Sequence, residues 1–315
     1  MLREFFLFLS HSRSAQAFIT GFPPARQMVA RFVAGETVGD AIRAIRVLNA
    51  EGITATTDFL GESVTNRDEA IRAADQYLCT LDELTRSGCR SHISLKLTQL
   101  GLDLDYDFCL RNVRRVVEKA QALGNFVCVD MESTSHTDRT LRLVGELRRE
   151  FDAIGTVLQA YLYRSEKDLI ALTEAGVRIR LCKGAYKEPP DKAFPRKADV
   201  DANFIKLSKL LLDRSAPGPN DASGKIPAPA ALATHDEKMI AAAKAYAAEK
   251  GIPRERFEFQ MLYGVRRELQ EQLVKEGFAV RAYVPYGTHW YPYFMRRLAE
   301  RPANVWFFVS NYFRR

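Results

Sequence analysis

Four residues near the C-terminus have the types and spacing to bind a planar anion. They are Tyr293, Arg296, Arg297 and Glu300, and they follow one another at i, i+3, i+4 and i+7. A helix would place them on one side, within an arc of roughly 100°. Two adjacent arginines on such a face can clamp a carboxylate, and a glutamate beside them can hold their guanidinium groups. The alternative is a solvated basic face on a terminal helix, which needs no ligand.

A second group of charged and polar residues ends or follows apolar segments along the chain. It comprises Lys96, Asp130, Gln159, Arg180, Lys183, His235, Gln260 and Tyr283. Two chemistries suit it. In the first, Lys96 or Lys183 is the amine of a Schiff-base enzyme such as an aldolase. In the second, cations bind the phosphates of a cofactor while an Arg or Gln faces its ring. The candidate phosphate ligands are Lys183, Arg196, Lys197 and His235. Spacing alone does not choose between the two.

The elements that would position these residues alternate regularly. Apolar runs predict strands at 53–61, 93–99, 126–132, 156–162, 177–185, 231–234, 257–262 and 279–285. Helical patterns occupy 37–49, 68–84, 106–123, 137–149, 165–174 with Ser165 as N-cap, 201–212, 237–250 and 265–275. The chain then turns at Pro285 and Gly287 and restarts as the arginine helix, with Pro292 in its first turn. The Pro- and Gly-rich segment 213–229 predicts an exposed loop.

Eight strand–helix units predict a parallel (β/α)₈ barrel, with an open doubly wound sheet as the alternative. In a barrel, chemistry gathers at the C-terminal ends of the strands, where the second group of residues lies. The chain has no GxGxxG after a strand, so a dinucleotide-binding Rossmann site has no support.

Composition limits the class of protein. The chain has 315 residues with 46 Lys and Arg against 39 Asp and Glu, giving a net charge of +7. These cations are dispersed, so nucleic acid is the weakest of the possible anionic partners. Five scattered cysteines indicate neither disulfides nor a metal site, and they predict a reducing compartment. The apolar run in MLREFFLFL is too short for a signal or a membrane span, so we expect a cytoplasmic protein.

From about residue 31 to the C-terminus the chain resembles the flavin-dependent proline dehydrogenases of the short, single-function bacterial type. The resemblance rests on eight segments in order: ISLKLTQLG, FVCVDME, VLQAYLYR, VRIRLCKGAY, FPRKADVDANF, ALATHD, FEFQMLYGVR and YVPYGTHWYPYFMRRLAER. It implies a distorted (β/α)₈ barrel whose last helix lies over the barrel mouth. It also implies FAD-dependent oxidation of L-proline to Δ1-pyrroline-5-carboxylate, by hydride transfer to the flavin N5.

The resemblance assigns roles to individual residues. Asp130 and Arg180 would be catalytic, with Asp130 bound to Tyr283 and Arg180 near the flavin N5. Among the substrate-binding residues, Tyr283 would shape the pocket together with Asp130. Lys96, Arg296 and Arg297 would hold the carboxylate, and Glu300 would orient the two arginines. Leu262, Ala185, Tyr186 and Tyr293 would line the ring. The other cofactor-binding residues would be Met131, Gln159, Lys183, Gly184, Ala185, Arg196, Lys197, Thr234 and His235. Asp236 departs from the family pattern, in which Asn often follows the ATH motif.

Partners follow from the same resemblance. Electrons would pass to a membrane quinone, and a separate pyrroline-5-carboxylate dehydrogenase would act downstream. Peripheral contact with the inner membrane is therefore possible. We expect a helical arm over 1–50 and a catalytic barrel over 51–315, and no metal. Two alternatives remain: a Schiff-base barrel acting through Lys96 or Lys183, and a basic protein that binds a membrane or nucleic acid without catalysis.

Overall fold

Eight parallel strands close into a barrel in the order in which they occur along the chain, which confirms the predicted architecture. The computed structural model describes residues 29–215 and 221–300, without the side chains of residues 296 and 298–300. The strands are β1 Thr54–Phe59, β2 Ser91–Leu95, β3 Val127–Val129, β4 Ile154–Gln159, β5 Arg178–Cys182, β6 Ala230–Ala233, β7 Phe257–Leu262 and β8 Ala279–Tyr286. Strand β1 pairs with both β2 and β8, and this closes the barrel.

Within residues 29–215 and 221–300, one helix precedes the barrel and the others follow the strands. They are α1 Val38–Ala50, α2 Arg67–Arg86, α3 Tyr106–Ala122, α4 Thr134–Arg148, α5 Ser165–Glu174, α6 Lys197–Arg214, α7 Glu237–Glu249, α8 Arg267–Lys275 and α9 Trp290–Glu300. Short 3₁₀ turns lie at Thr98–Leu100 and Arg254–Arg256. In the described ranges, no helix combines the length and the apolar character that crossing a bilayer requires.

Polar side chains fix where several helices begin. Thr37 caps α1 in a capping box with Asp40, since each side chain accepts a hydrogen bond from the other residue's backbone N–H. Asn66 and Asp105 cap α2 and α3: a side-chain oxygen of each accepts a hydrogen bond from a backbone N–H in the first turn of the helix. The prediction that Ser165 caps α5 is wrong. Its hydroxyl instead donates to the carbonyl of Gln159, 2.6 Å away, and so ties the helix start to the end of β4.

Alternation along the strands separates an apolar layer from a polar interior. Ile93 and Leu95 of β2 belong to the main core between the strands and the surrounding helices. His92 and Ser94, the alternate residues, hydrogen-bond to Thr56 on the neighbouring strand β1 and to Asp130 after the neighbouring strand β3. A strand period of two therefore directs one set of side chains to the helices and the other to the barrel axis.

Strands β1 to β5 are shorter than the sequence predicted, and β2 and β3 show why. Residues 96–99 leave β2, because Leu97 and Leu100 are buried by the 3₁₀ turn that follows the strand. Likewise β3 ends at Val129, since Glu132 turns away to accept hydrogen bonds from the backbone and hydroxyl of Thr98. Apolar residues in the loops had extended the strand pattern past the true ends.

Two other details of the predicted elements are also corrected. Pro285 is not part of the turn: it lies within β8 opposite Asp58, and its carbonyl accepts from the N–H of Ala34. The turn comes at Gly287, which has φ +124°, a conformation that favours glycine. In α1, the apolar residue Val47 is 57% exposed and so lies off the buried face of the helix.

The segment 213–229, predicted as an exposed loop, begins as the end of α6 and later closes the floor of the barrel. Gly224 is buried, and its carbonyl accepts from Arg281 Nη1 at 3.1 Å. Arg281 and Glu258, each 2% exposed, form an ion pair of 2.8 Å inside the barrel. A backbone carbonyl of the loop thus serves the buried charge, so Gly224 is buried although Ala222 and Ser223 are exposed as predicted.

Helix α9 lies over the barrel mouth, as the resemblance implied. Trp290, Phe294 and Met295 pack in one buried cluster with Phe32 and with Leu60, the residue that follows β1. Tyr283, near the end of β8, packs against the same cluster. The apolar side of the helix therefore rests on the C-terminal ends of the strands.

Candidate active site

Asp130 is the centre of the polar network at the barrel mouth. Its Oδ1 accepts from Arg180 Nη1 at 2.7 Å and from the Ser94 hydroxyl at 2.6 Å. Its Oδ2 accepts from the Tyr283 hydroxyl at 2.7 Å, which confirms the expected contact between Asp130 and Tyr283. Lys96 Nζ lies 3.6 Å from Oδ2. Four strand ends thus meet on one carboxylate.

Asp58 is the mouth residue that the sequence reasoning missed. It lies near the C-terminal end of β1, its side chain is fully buried, and its Oδ2 accepts from Lys96 Nζ at 3.2 Å. Its Oδ1 has no hydrogen-bond partner among the described residues. An aspartate at the end of the apolar strand TATTDF is the same signal that identified Asp130, so the sequence could have revealed it.

The electrostatics of the mouth keep Lys96 charged. Burial alone would lower the pKa of Lys96, but the carboxylates of Asp58 and Asp130 outweigh burial and raise it. Burial raises the pKa of Asp58. The pKa of Asp130 is lowered, because Arg180 and Lys96 outweigh the cost of its burial. Lys96 is therefore an ammonium group at neutral pH, suited to binding an anion and unsuited to Schiff-base formation, which needs a neutral amine.

A cavity of about 660 Å³ opens between the loop after β1 and helix α9. Its walls include Lys96, Phe59, Pro292 and Tyr293. The guanidinium of Arg297 stacks over the Tyr293 ring at 5.1 Å and so lies beside this cavity. The side chains of Arg296 and Glu300, the other two members of the predicted clamp, lie outside the described residues.

The ends of β4 and β5 form the opposite wall of the mouth. Gln159 is 2% exposed and ends β4, while Lys183 and Gly184 directly follow β5. Gly184 has φ +115°, and a Cβ there would lie 2.3 Å from the Tyr161 ring, so the backbone can pass only as glycine. Met131, after β3, is buried beside Cys128 and Val157. Ala185 is exposed and Tyr186 is half-buried.

The predicted phosphate ligands come together only in part. Lys183 Nζ lies between Asp201 at 2.5 Å and Asp236 at 2.7 Å, and Lys197 also pairs with Asp201. Arg196 is exposed and pairs with Asp199 within the first turn of α6. Two ammonium groups and two carboxylates balance in charge, so this group of four side chains has no net positive charge to attract a phosphate.

The residues after β6 and at the end of β7 are linked by backbone contacts. His235 Nε2 accepts from the N–H of Leu262 at 2.9 Å. The hydroxyl of Thr234 accepts from the N–H of Asp236 at 3.1 Å, and the carboxylate of Asp236 caps α7. These contacts bring the predicted cofactor residue His235 against the predicted substrate residue Leu262.

The two alternative classes fit this arrangement poorly. Lys96 and Lys183 each lie between two carboxylates, and these ion pairs oppose nucleophilic attack by either amine. Basic residues on α3 are paired as well, with Arg115 2.7 Å from Asp75 and Lys119 2.7 Å from Asp82. Such pairing reduces the attraction of this face for nucleic acid or anionic lipid.

Comparisons with known proteins agree with the arrangement. The model of the proline dehydrogenase family matches residues 41–309. Proline dehydrogenase 1 of Bacillus subtilis (strain 168) is 42% identical over 310 residues, covering 98% of each chain. A proline dehydrogenase of Deinococcus radiodurans is 41% identical over 285 residues, covering 89% of this chain and 88% of the relative.

A solved structure shares the fold. It is that of proline utilization A (PutA) from Bdellovibrio bacteriovorus inactivated by N-propargylglycine, with a TM-score of 0.78 and 28% identity. The match covers 88% of this chain and 33% of that longer chain. The chain belongs to the proline dehydrogenase family.

Proposed function

We propose that this protein oxidises L-proline to Δ1-pyrroline-5-carboxylate with FAD bound at the barrel mouth. The observation that carries the proposal is the set of buried polar atoms left without partners there: Arg180 Nη2 and Gln159 Oε1, on neighbouring strands. A buried donor or acceptor without a partner is costly. A flat polar ring that offers both donors and acceptors, such as that of a flavin, would satisfy these atoms.

The charges at the mouth support proline as the substrate. Lys96 and Arg180 balance Asp58 and Asp130, so a bound carboxylate adds one uncompensated negative charge. Arg297, beside the cavity, supplies the additional cation, and the resemblance adds Arg296 with Glu300 to orient the pair. Tyr283, Leu262, Ala185, Tyr186 and Tyr293 would surround the apolar ring. Three cations around one carboxylate would fix the orientation of the ring.

FAD, when bound, would accept the hydride from the proline ring carbon beside the nitrogen at its N5. Arg180 would hold a positive charge close to the place where negative charge accumulates. Gln159 would meet the pyrimidine edge, and Lys183, Gly184, Ala185 and Met131 would lie along the ring. The remaining cofactor contacts would come from Thr234, His235, Arg196 and Lys197. Of Arg196 and Lys197, Lys197 is the stronger candidate for a cofactor contact, because it pairs with Asp201, which also pairs with Lys183.

The flavin is tested by acid precipitation of the purified protein and chromatography of the supernatant. We expect a yellow protein that releases FAD without cleavage of a covalent bond. L-Proline should then drive dye reduction with formation of a cyclic imine. A folded protein that stays colourless and inactive after addition of FAD would overturn the proposal.

We further propose a membrane quinone as the electron acceptor, with peripheral contact with the bilayer from a cytoplasmic protein. The net charge of +7 favours anionic lipid, at about 1 kcal/mol for each cation that reaches the surface. Stopped-flow reoxidation should be fast with a short-chain quinone and slow with oxygen, and vesicle binding should weaken as salt rises. Faster reoxidation by oxygen in air-saturated buffer would identify an oxidase instead. The product would be taken by a separate pyrroline-5-carboxylate dehydrogenase.

A further inference from the structure

A buried chain of hydrogen bonds runs from Arg180 at the mouth to Arg281 at the floor. Arg180 Nε donates to Gln260 Oε1 at 2.6 Å, and Gln260 Nε2 donates to Glu258 Oε1 at 2.6 Å. Arg281 Nε and Nη2 donate to the two oxygens of Glu258 at 2.8 and 3.2 Å. All four side chains are at most 7% exposed, so water screens these contacts little.

The residues on either side of Gln260 fix the direction of its hydrogen bonds. Arginine can only donate, and a carboxylate can only accept. The Gln260 amide must therefore turn its oxygen to Arg180 and its nitrogen to Glu258, since the opposite orientation would face like against like at both ends. Glu258 is in turn held by Arg281, whose Nη1 donates to the carbonyls of Ala55 and Gly224. The floor thus sets the orientation of an amide that touches the mouth.

These hydrogen bonds also determine which N–H groups of Arg180 remain for a ligand. Its Nε is occupied by Gln260, and its Nη1 by Asp130 and Ser94 at 2.7 and 3.3 Å. Its Nη2 has no hydrogen-bond partner in the part of the chain that the structure describes. The planar guanidinium group is therefore held along two edges, and this fixes the direction of the third.

We propose that Gln260 is a positioning residue for Arg180, and that Glu258, anchored by Arg281, fixes the Gln260 amide. The inference rests on the proposed function, because Arg180 is assigned there to the flavin. Gln260 itself touches neither proline nor FAD in this account. It acts by holding the Arg180 guanidinium in the orientation that presents Nη2 to the cofactor.

The test replaces Gln260 by Met, which keeps the length of the side chain and removes both polar ends. Arg180 would lose one of its two fixed edges, and misplacement by about 1 Å can cost on the order of 100-fold in rate. We expect kcat to fall by about 10- to 100-fold. The KM for L-proline should stay nearly unchanged, because Lys96 and Arg297 are not members of the hydrogen-bond chain from Arg180 to Arg281. The reduction potential of the flavin should become more negative, since the positive charge is less well placed.

Two further variants keep the test decisive. Gln260→Asn retains the amide but is one methylene too short to span both partners, so it should show the same pattern if Gln260→Met does not fold. Asn112→Leu is the matched control, because Asn112 is a buried amide on α3 that donates to the Leu100 carbonyl and is not a member of the hydrogen-bond network from Arg180 to Arg281. It should lower stability without moving kcat or the potential.

The possible outcomes separate this inference from the proposed function. A wild-type protein that binds no flavin, or is not reduced by L-proline, overturns both. An active wild type whose Gln260 variants match Asn112→Leu in kcat and potential overturns the positioning role alone. So does an increase in KM at unchanged kcat, which would indicate a role in substrate binding.

Discussion

The two ends of the barrel bury the same kinds of charge but satisfy them differently. At the floor, Arg281 donates to both oxygens of Glu258 and to two backbone carbonyls. At the mouth, Asp58 Oδ1, Gln159 Oε1 and Arg180 Nη2 have no hydrogen-bond partner among the described residues. A saturated pair stabilises one arrangement of the chain, whereas polar atoms without partners are costly until a ligand satisfies them. We therefore expect the main loss in floor variants to be of stability, and the main loss in mouth variants to be of function.

The largest effect on stability should come from Arg281→Met. It leaves the Glu258 carboxylate buried without its ion-pair partner, and breaking a buried pair in this way costs about 3–5 kcal/mol. Denaturant unfolding followed by circular dichroism measures the change. Arg114→Met is the control, since the Arg114–Glu150 pair is partly exposed and such pairs contribute about 0–1 kcal/mol. Equal losses in the two variants would remove the distinction between floor and surface.

At the mouth, Lys96→Met and Arg297→Met should impair proline turnover while FAD remains bound. Loss of one partner from a desolvated charge pair costs about 2–5 kcal/mol, so kcat/KM should fall by roughly 30-fold to several thousand-fold. We expect the same range for Arg296→Met from the family resemblance. Lys119→Met, on the outer face of α3, should leave kcat/KM unchanged. Near-native efficiency in all three mouth variants would indicate a solvated basic face.

A smaller effect is expected from backbone substitutions at the two ends. Gly184→Ala combines φ +115° with a Cβ 2.3 Å from the Tyr161 ring, so the segment after β5 must shift. Strain of this kind costs about 1–3 kcal/mol, and the affinity of the apoprotein for FAD should fall by roughly 5- to 150-fold. Gly124→Ala, before β3 at the floor, also has a positive φ of 59° but meets no atom within 4 Å. It should leave the affinity for FAD unchanged, and equal losses would refute the assignment of Gly184.

The smallest effect should appear in the dependence of stability on pH. The pKa of Asp130 is lowered in the folded state, because Arg180 and Lys96 outweigh its burial. Its contribution to stability is therefore present above the unfolded pKa of about 3.9 and is lost as the pH falls through the lower folded pKa. Asp130→Asn should flatten the loss of unfolding free energy below about pH 4. An unchanged slope would show that the carboxylate is not held by these cations.

The sequence predicted the mouth better than the floor for a physical reason. Charges at the ends of apolar strands are visible along the chain, so Lys96, Asp130 and Tyr283 could be grouped from their positions alone. Glu258 and Arg281 lie on the same inward faces as Gln260 and Tyr283, one layer deeper. Pairing them requires the register of β7 with β8, in which Gln260 lies opposite Arg281, and no local pattern supplies a register.

The ends of the strands and loops were also predicted less accurately than their order along the chain. The apolar residues Leu97 and Leu100 extended the predicted second strand, although tertiary packing buries them in a 3₁₀ turn. Composition likewise predicted an exposed loop over 213–229, although Gly224 supplies a carbonyl to a buried arginine. In both segments the deciding interaction is with residues far away in the chain. Local propensity cannot represent such contacts.

The most direct test mixes the purified, FAD-loaded protein with L-proline in the absence of oxygen and follows the visible flavin absorbance in a stopped-flow instrument. We expect full bleaching of the wild-type flavin, at a rate that saturates with L-proline. Bleaching should be much slower in Lys96→Met and Arg297→Met, and it should proceed at the wild-type rate in Lys119→Met. Flavin that stays oxidised in the wild type, or that is bleached equally fast in the mouth variants, would contradict the assignment of the barrel mouth as the site of proline oxidation.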